Sequence, residues 1–329
     1  MTKLVKILMI LLLGAYVPSA AQVRYTISPK NAEAVLKVEN IRQTVEYLTS
    51  PSLGGRASGT DGGRKTAAWI EGRFRDLYLQ PFGGAWMHGF QMGGAFGRNV
   101  LGMIPGSATP SRYVIVMAHY DNLGTLGGTF YPGADSNASG VAALLEVGRM
   151  FQHMKGRKRT YASSIIFVAL DGKEKDLAGS RELWRMVEQG KLVDPVNGSP
   201  IGREQITLVV NLDQVGATLA PLTKGNPNFI MMLSDAATGW RSTLENVNRD
   251  QHIGLEIGYS YYGSADFTRL FYTRISDQRV FLENGIPAVM FTSGITLNNN
   301  KATDTPESLD YTVMRKRIQL IFYWLDKVL

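Results

Sequence analysis

The chain of 329 residues is long enough for one large α/β domain or two modest ones, and its 44% apolar and 19% charged residues are globular composition, which excludes widespread disorder. It has no cysteine, which excludes disulfides, thiolate metal sites, cysteine nucleophiles and lipid attached through a cysteine. The net charge of +7 is scattered and often sits beside acids, as in Lys173-Glu174-Lys175-Asp176, so the chain carries no basic stripe of the kind that binds nucleic acid.

Lys3 and Lys6 precede an apolar run over 7–17, then Pro18-Ser19-Ala20-Ala21 and Gln22. A charged start, a short apolar middle and small residues at the exit predict a signal peptide over 1–21, cut after Ala21. At about a dozen residues the run falls short of the roughly 20 needed to span a bilayer. The expectation is an exported protein, periplasmic or secreted, with no membrane anchor left after cleavage.

A polar lead-in over 22–38 is followed by one domain over 39–329. A first helix is predicted near 39–48, then a turn-rich loop over 54–63. Asp61 is the expected cap of the next helix, whose Ala67, Ala68, Ile70, Phe74 and Leu77 recur at helical spacing. Strands are predicted at 99–104, 113–118, 164–170, 206–212, 229–233 and 287–292. Helical segments fall near 140–154, 178–189 and 237–247, with a closing helix over 313–329. Fully apolar strands separated by helices indicate an α/β fold of three layers, a mostly parallel central sheet flanked by helices.

In such sheets ligands bind beyond the carboxyl ends of the strands. Three strands there run into polar residues: His119-Tyr120-Asp121, Asp171-Gly172-Lys173-Glu174 and Asp213-Gln214. His119 with Asp121 behind it can place an oriented imidazole on a metal, and Glu174 and Asp213 add the carboxylates of a hydrolytic zinc site. The same residues also read as a core histidine with carboxylates that cap helices or pair with Lys173 and Arg181.

Several strings complete the pattern: Leu53-Gly54-Gly55-Arg56, Ala134-Asp135-Ser136-Asn137-Ala138-Ser139-Gly140, Leu177-Ala178-Gly179-Ser180, Ser276-Asp277-Gln278, Gly285-Ile286-Pro287 and Asp304-Thr305-Pro306. In order and spacing, from about Ile41 onward, the chain resembles metallopeptidase family twenty-eight, the bacterial leucyl aminopeptidases to which glutaminyl cyclases are related. The resemblance implies a zinc-exopeptidase fold, two zinc ions, a bridging aspartate and a glutamate base. It places His119 and Asp213 on the first metal, Glu174 on the second, and Asp121 behind His119.

Three positions depart from the family. The bridging aspartate is Ser136, the general base is Lys173, and the last histidine ligand is Asn300. A protonated lysine has no lone pair to take a proton from water. Serine cannot replace a carboxylate between two cations, and a neutral amide is a poor zinc ligand. Lys173 is expected to fill the space of the second metal, bridging Glu174 and Asp213. A shift of the loop would let Asp135 join His119 and Asp213 around a single zinc. The expectation is therefore one zinc ion or none, and an inactive or impaired homologue of aminopeptidases. The alternative is an active zinc aminopeptidase, or a one-zinc hydrolase, acting on peptide N-termini. No Gly-x-Ser-x-Gly elbow supports serine chemistry. The aromatic segment 258–271 reads either as a rim of the cleft that contacts peptide side chains or as core.

Overall fold

A computed structural model describes residues 29–329 apart from 110, 235–238 and 262; the expected signal peptide, most of the lead-in and Tyr262 lie outside the described residues. Among the described residues no helix is long and apolar enough to cross a membrane.

The fold is built around strands that are buried on both faces. In β3 (Tyr113–His119) and β6 (Ser164–Leu170) every residue is buried, and nearly all are apolar. Such a strand requires cover above and below, which is the environment of a parallel sheet in an α/β protein. β3 pairs in parallel with both β6 and β7 (Ile206–Leu212), and β7 pairs in parallel with β10 (Ala288–Thr292). Around this centre lie β1 (Met87–Met92) and β2 (Ala95–Ile104), with β8 (Phe229–Leu233) and β9 (Glu256–Gly258) on the other side. The eight strands run in the order β1-β2-β6-β3-β7-β10-β8-β9. Four of the seven neighbouring pairs are parallel. A separate hairpin joins β4 (Gly124–Leu126) to β5 (Thr129–Tyr131).

Alternate residues of the central strands feed two cores. On one face Val114, Val116, Phe167, Ala169, Leu208 and Val210 pack under α1 (Val38–Leu48), α2 (Asp61–Asp76), α3 (Ser139–Gly156) and α8 (Tyr311–Val328). The neighbours Ile115, Met117, Ile166, Val168 and Val209 point the other way. They meet α4 (Ala178–Glu188) and α7 (Gln278–Glu283) through Leu183, Trp184, Val280 and Phe281. α5 (Gly239–Asp250) packs on α8, and α6 (Ala265–Arg274) covers the far end of the second face. This is the expected three-layer arrangement.

Predicted strands and helices agree with the structure to within about three residues, with three differences. β2 begins at Ala95 rather than Asn99 because it is half of a hairpin with β1, turned by Gly93-Gly94, both at positive φ. The cap of α2 is Thr60, whose hydroxyl accepts from Gly63 N at 3.2 Å. Asp61 sits inside the first turn and pairs with Arg64 and Lys65. Finally β1, β4, β5, β9, α6 and α7 had no prediction, being short or half-exposed.

Candidate active site

Three adjacent parallel strands end level with one another. His119 pairs with Leu170 across β3 and β6, and Met117 pairs with Asn211 across β3 and β7. The residues just beyond these ends therefore share one rim, where His119, Asp121 and Asp213 are all buried.

Asp121 holds the rim together. Its Oδ1 accepts from Lys173 N and its Oδ2 from Glu174 N, both at 3.0 Å, and Ser58 Oγ donates to Oδ2 at 3.2 Å. Burial alone would raise its pKa. The charge and hydrogen bond of His119, with the two backbone N–H groups, outweigh that and hold it below the usual carboxylate range. The acceptor for His119 Nδ1 is the Asp121 backbone carbonyl at 3.0 Å, and the Asp121 carboxylate stands farther off at 3.6 Å.

With Nδ1–H committed to a carbonyl, Nε2 of a neutral His119 would carry a lone pair. That atom faces Asp213 Oδ1 at 3.5 Å, and neither has a hydrogen-bond partner. A lone pair against a carboxylate oxygen is repulsive unless a proton or another cation lies between them. Burial and Lys173 push the His119 pKa down, yet Asp213 and Asp121 outweigh them and it is pushed up to about 10. Asp213 is held far below the carboxylate range: burial opposes this, but Lys173, His119 and the Ser276 hydroxyl prevail.

Lys173 Nζ lies 3.0 Å from Glu174 Oε1, and the ammonium is largely enclosed. Burial favours the neutral amine, but Asp213 and Glu174 outweigh it and keep the pKa above the ordinary lysine value. The lysine therefore ion-pairs with Glu174 alone. It feels Asp213 through the field and does not bridge the two carboxylates as expected from the sequence.

The segment carrying Ser136 is clamped from below by Asp304, which accepts from the backbone N of Asp135 at 2.8 Å and of Ser136 at 3.0 Å. Ser136 Oγ is buried without a partner, and the Ser136–Asn137 peptide is cis. Asn137 ties the strand ends together, donating to Leu212 O at 2.9 Å and accepting from Gln214 N at 2.9 Å. A Cβ on Gly140 would sit 2.4 Å from that Asn137 side chain, which is why glycine stands there. Asp135 Oδ1 takes Gly216 N at 2.8 Å, Ala217 N at 3.2 Å and Ser139 Oγ at 3.1 Å. Its carboxylate is thus engaged with the 216–217 backbone rather than with His119 or Asp213. Burial and Asp304 push its pKa up to about 7. Asn300 is exposed at a left-handed turn, φ 57°, and bonds to none of His119, Lys173 or Asp213.

Two site residues were not singled out from the sequence. Ser276 donates to Asp213 Oδ2 and accepts from Asn211 Nδ2 at 2.8 Å. Asp277 is fully buried with both oxygens unpartnered, and burial pushes its pKa up to about 6. The string Ser276-Asp277-Gln278 was the available signal, but nothing in it said which side chain faces the rim.

Residues 99–325, from β2 through nearly all of α8, match the model of Peptidase family M28. The chain belongs to that family. A probable zinc metalloprotease of Pyrenophora tritici-repentis is 27% identical over 212 residues, 58% of this chain and 45% of that relative. The chain thus spans less than half the length of this relative. Among solved structures, the LapA aminopeptidase of Legionella pneumophila superposes with a TM-score of 0.68 at 20% identity, covering 92% of this chain and 75% of that one. A glutaminyl cyclase of Porphyromonas gingivalis does so with a TM-score of 0.63 at 17% identity, covering 89% and 99%. At these identities the likeness to the solved structures is one of fold.

Proposed function

We propose that this family member is an exported aminopeptidase-type homologue whose hydrolytic centre is silent or impaired, and whose cleft is kept for holding peptides. One observation carries the reading. Where the family has its general base, an ammonium group stands 3.0 Å from Glu174, held protonated by that carboxylate and by Asp213. A group already protonated cannot take the proton of an attacking water.

The residues present do not suit a pair of zinc ions. Glu174 is already neutralised by Lys173, Ser136 offers a hydroxyl in place of a bridging carboxylate, and Asn300 is exposed. Among the described residues no three His, Asp or Glu side chains are gathered to hold a metal.

A second reading has its own support. His119 Nε2 and Asp213 Oδ1 are both unpartnered and 3.5 Å apart, so they offer two donors to one cation. Elemental analysis of protein purified with zinc present, with an assay on aminoacyl-nitroanilides, separates the readings. The proposal expects at most one zinc per chain and no turnover. Two zinc ions with turnover lost in His119→Ala would overturn it. Export rests on the expected 1–21 signal peptide, and N-terminal sequencing of secreted protein starting at Gln22 would support it.

A further inference from the structure

Away from the rim, at the opposite edge of the sheet, lies a cavity of about 420 Å³. It is lined by Arg241 on α5, Tyr259 and Ser260 after β9, and Thr268, Arg269 and Tyr272 on α6. β8 runs antiparallel to β10, so this edge is not an extension of the rim formed by β3, β6 and β7. Tyr272 anchors the wall by donating to Ala288 O, at the start of β10, at 2.7 Å.

Two guanidinium groups line this cavity, and among the described residues neither has a carboxylate within ion-pair distance. Of the arginines on the neighbouring helices, Arg249 pairs with Asp250 and Arg279 with Glu283. The Arg241 guanidinium lies 4.9 Å over the Tyr259 ring, a cation–π contact that favours its place against the cavity wall. Burial and Glu245, which hydrogen-bonds the phenol, raise the Tyr259 pKa, while the charge of Arg241 acts in the opposite sense. Two cations lining one hollow repel each other, and an oxyanion between them relieves that repulsion. Arginine suits the task because its planar fork meets phosphate or sulfate with two parallel hydrogen bonds. The volume falls in the range of small-molecule sites, about 300–1,000 Å³, and exceeds what a bare inorganic ion fills.

We propose that this cavity is a second binding site, for a small organic molecule carrying a phosphate or sulfate ester, with Arg241 and Arg269 as the anion ligands. The site is independent of the chemistry at the rim and stands whether or not the peptidase centre is silent.

Calorimetric titration of the full chain with glucose 6-phosphate, glucose 6-sulfate and inorganic phosphate tests it, with sodium chloride at matched ionic strength as the control. Saturable binding of an ester is expected, weakened roughly tenfold or more in Arg241→Gln/Arg269→Gln and unchanged in Arg249→Gln. Both arginines of the site are exposed, so an unchanged melting temperature in the double variant would show that folding is intact. Equal heats with chloride, or equal affinity in the double variant, would overturn the site. Inorganic phosphate binding as tightly as either ester would overturn its assignment to an ester.

Discussion

His119 Nε2 and Asp213 Oδ1 face each other 3.5 Å apart inside the protein, and neither atom has another hydrogen-bond partner. Removing one member of a buried charged pair strands the other, at a cost of about 3–5 kcal/mol. His119→Ala is expected to lower stability by about 3 kcal/mol in urea unfolding, the low end because Ser276 and Lys173 still attend Asp213. In the double variant with Asp213→Asn the loss should be smaller than the sum of the two single losses. Additive losses would mean that the two groups do not interact.

Asp121 offers a sharper case, because both of its oxygens accept backbone N–H groups. In Asp121→Asn one oxygen becomes an NH₂ group pointed at an N–H donor. A cost of about 2–3 kcal/mol is expected. Hydrogen exchange at the amides of Lys173 and Glu174 should accelerate, and unchanged exchange would show that other contacts hold this loop.

Acidity provides a third test. Asp135 titrates near 7, and Asp171 and Asp277 near 6, all raised chiefly by burial above the value of an unfolded carboxyl. The folded chain therefore holds more protons than the unfolded chain between about pH 4 and pH 7. Stability should rise as pH falls from 7 to 5. Below about pH 4 it should fall, as Asp121 and Asp213, whose pKa values are depressed, take up protons. Melting temperatures at pH 5, 6 and 7 check the first part. Asp277→Asn should flatten the slope and leave the protein at pH 7 as stable as before or more so, since it removes a buried charge with no hydrogen bond.

Restoring the family residues tests the reading of the site. Ser136→Asp, Lys173→Glu and Asn300→His together should raise zinc affinity at least tenfold, about 1.4 kcal/mol, with nitroanilide hydrolysis appearing alongside. Lys173→Glu alone should not, because it places a second carboxylate beside Glu174 without a cation to offset it. Failure of the triple variant to bind zinc would mean that the surrounding frame, and not three side chains, has changed.

How much of this was legible in the sequence depends on the residue. The strands β3 and β6 announced themselves as almost unbroken apolar runs because both of their faces are buried, β7 did so despite Thr207 and Asn211, and the rim residues followed from the strand ends. β1 is half-exposed and contains Gly89, so its pattern looked like loop. Ser276 and Asp277 escaped because they follow a helix and reach the rim only through tertiary packing. Asp135 looked free to swing toward the metal position. What fixes it is the backbone of Gly216 and Ala217, more than 80 residues away in the chain, a partner that spacing cannot reveal.

The grip of Asp121 on residues 173 and 174 goes through their backbone amides alone. Whatever side chain stands at 173 leaves that grip untouched, so the loop is a fixed mount with an exchangeable head. A lysine codon and a glutamate codon can differ by a single base. Mutation can therefore reach a basic or an acidic head at this position in one step, with the two amides that Asp121 holds still in place. Laboratory selection for peptidase activity needs that step together with changes at 136 and 300.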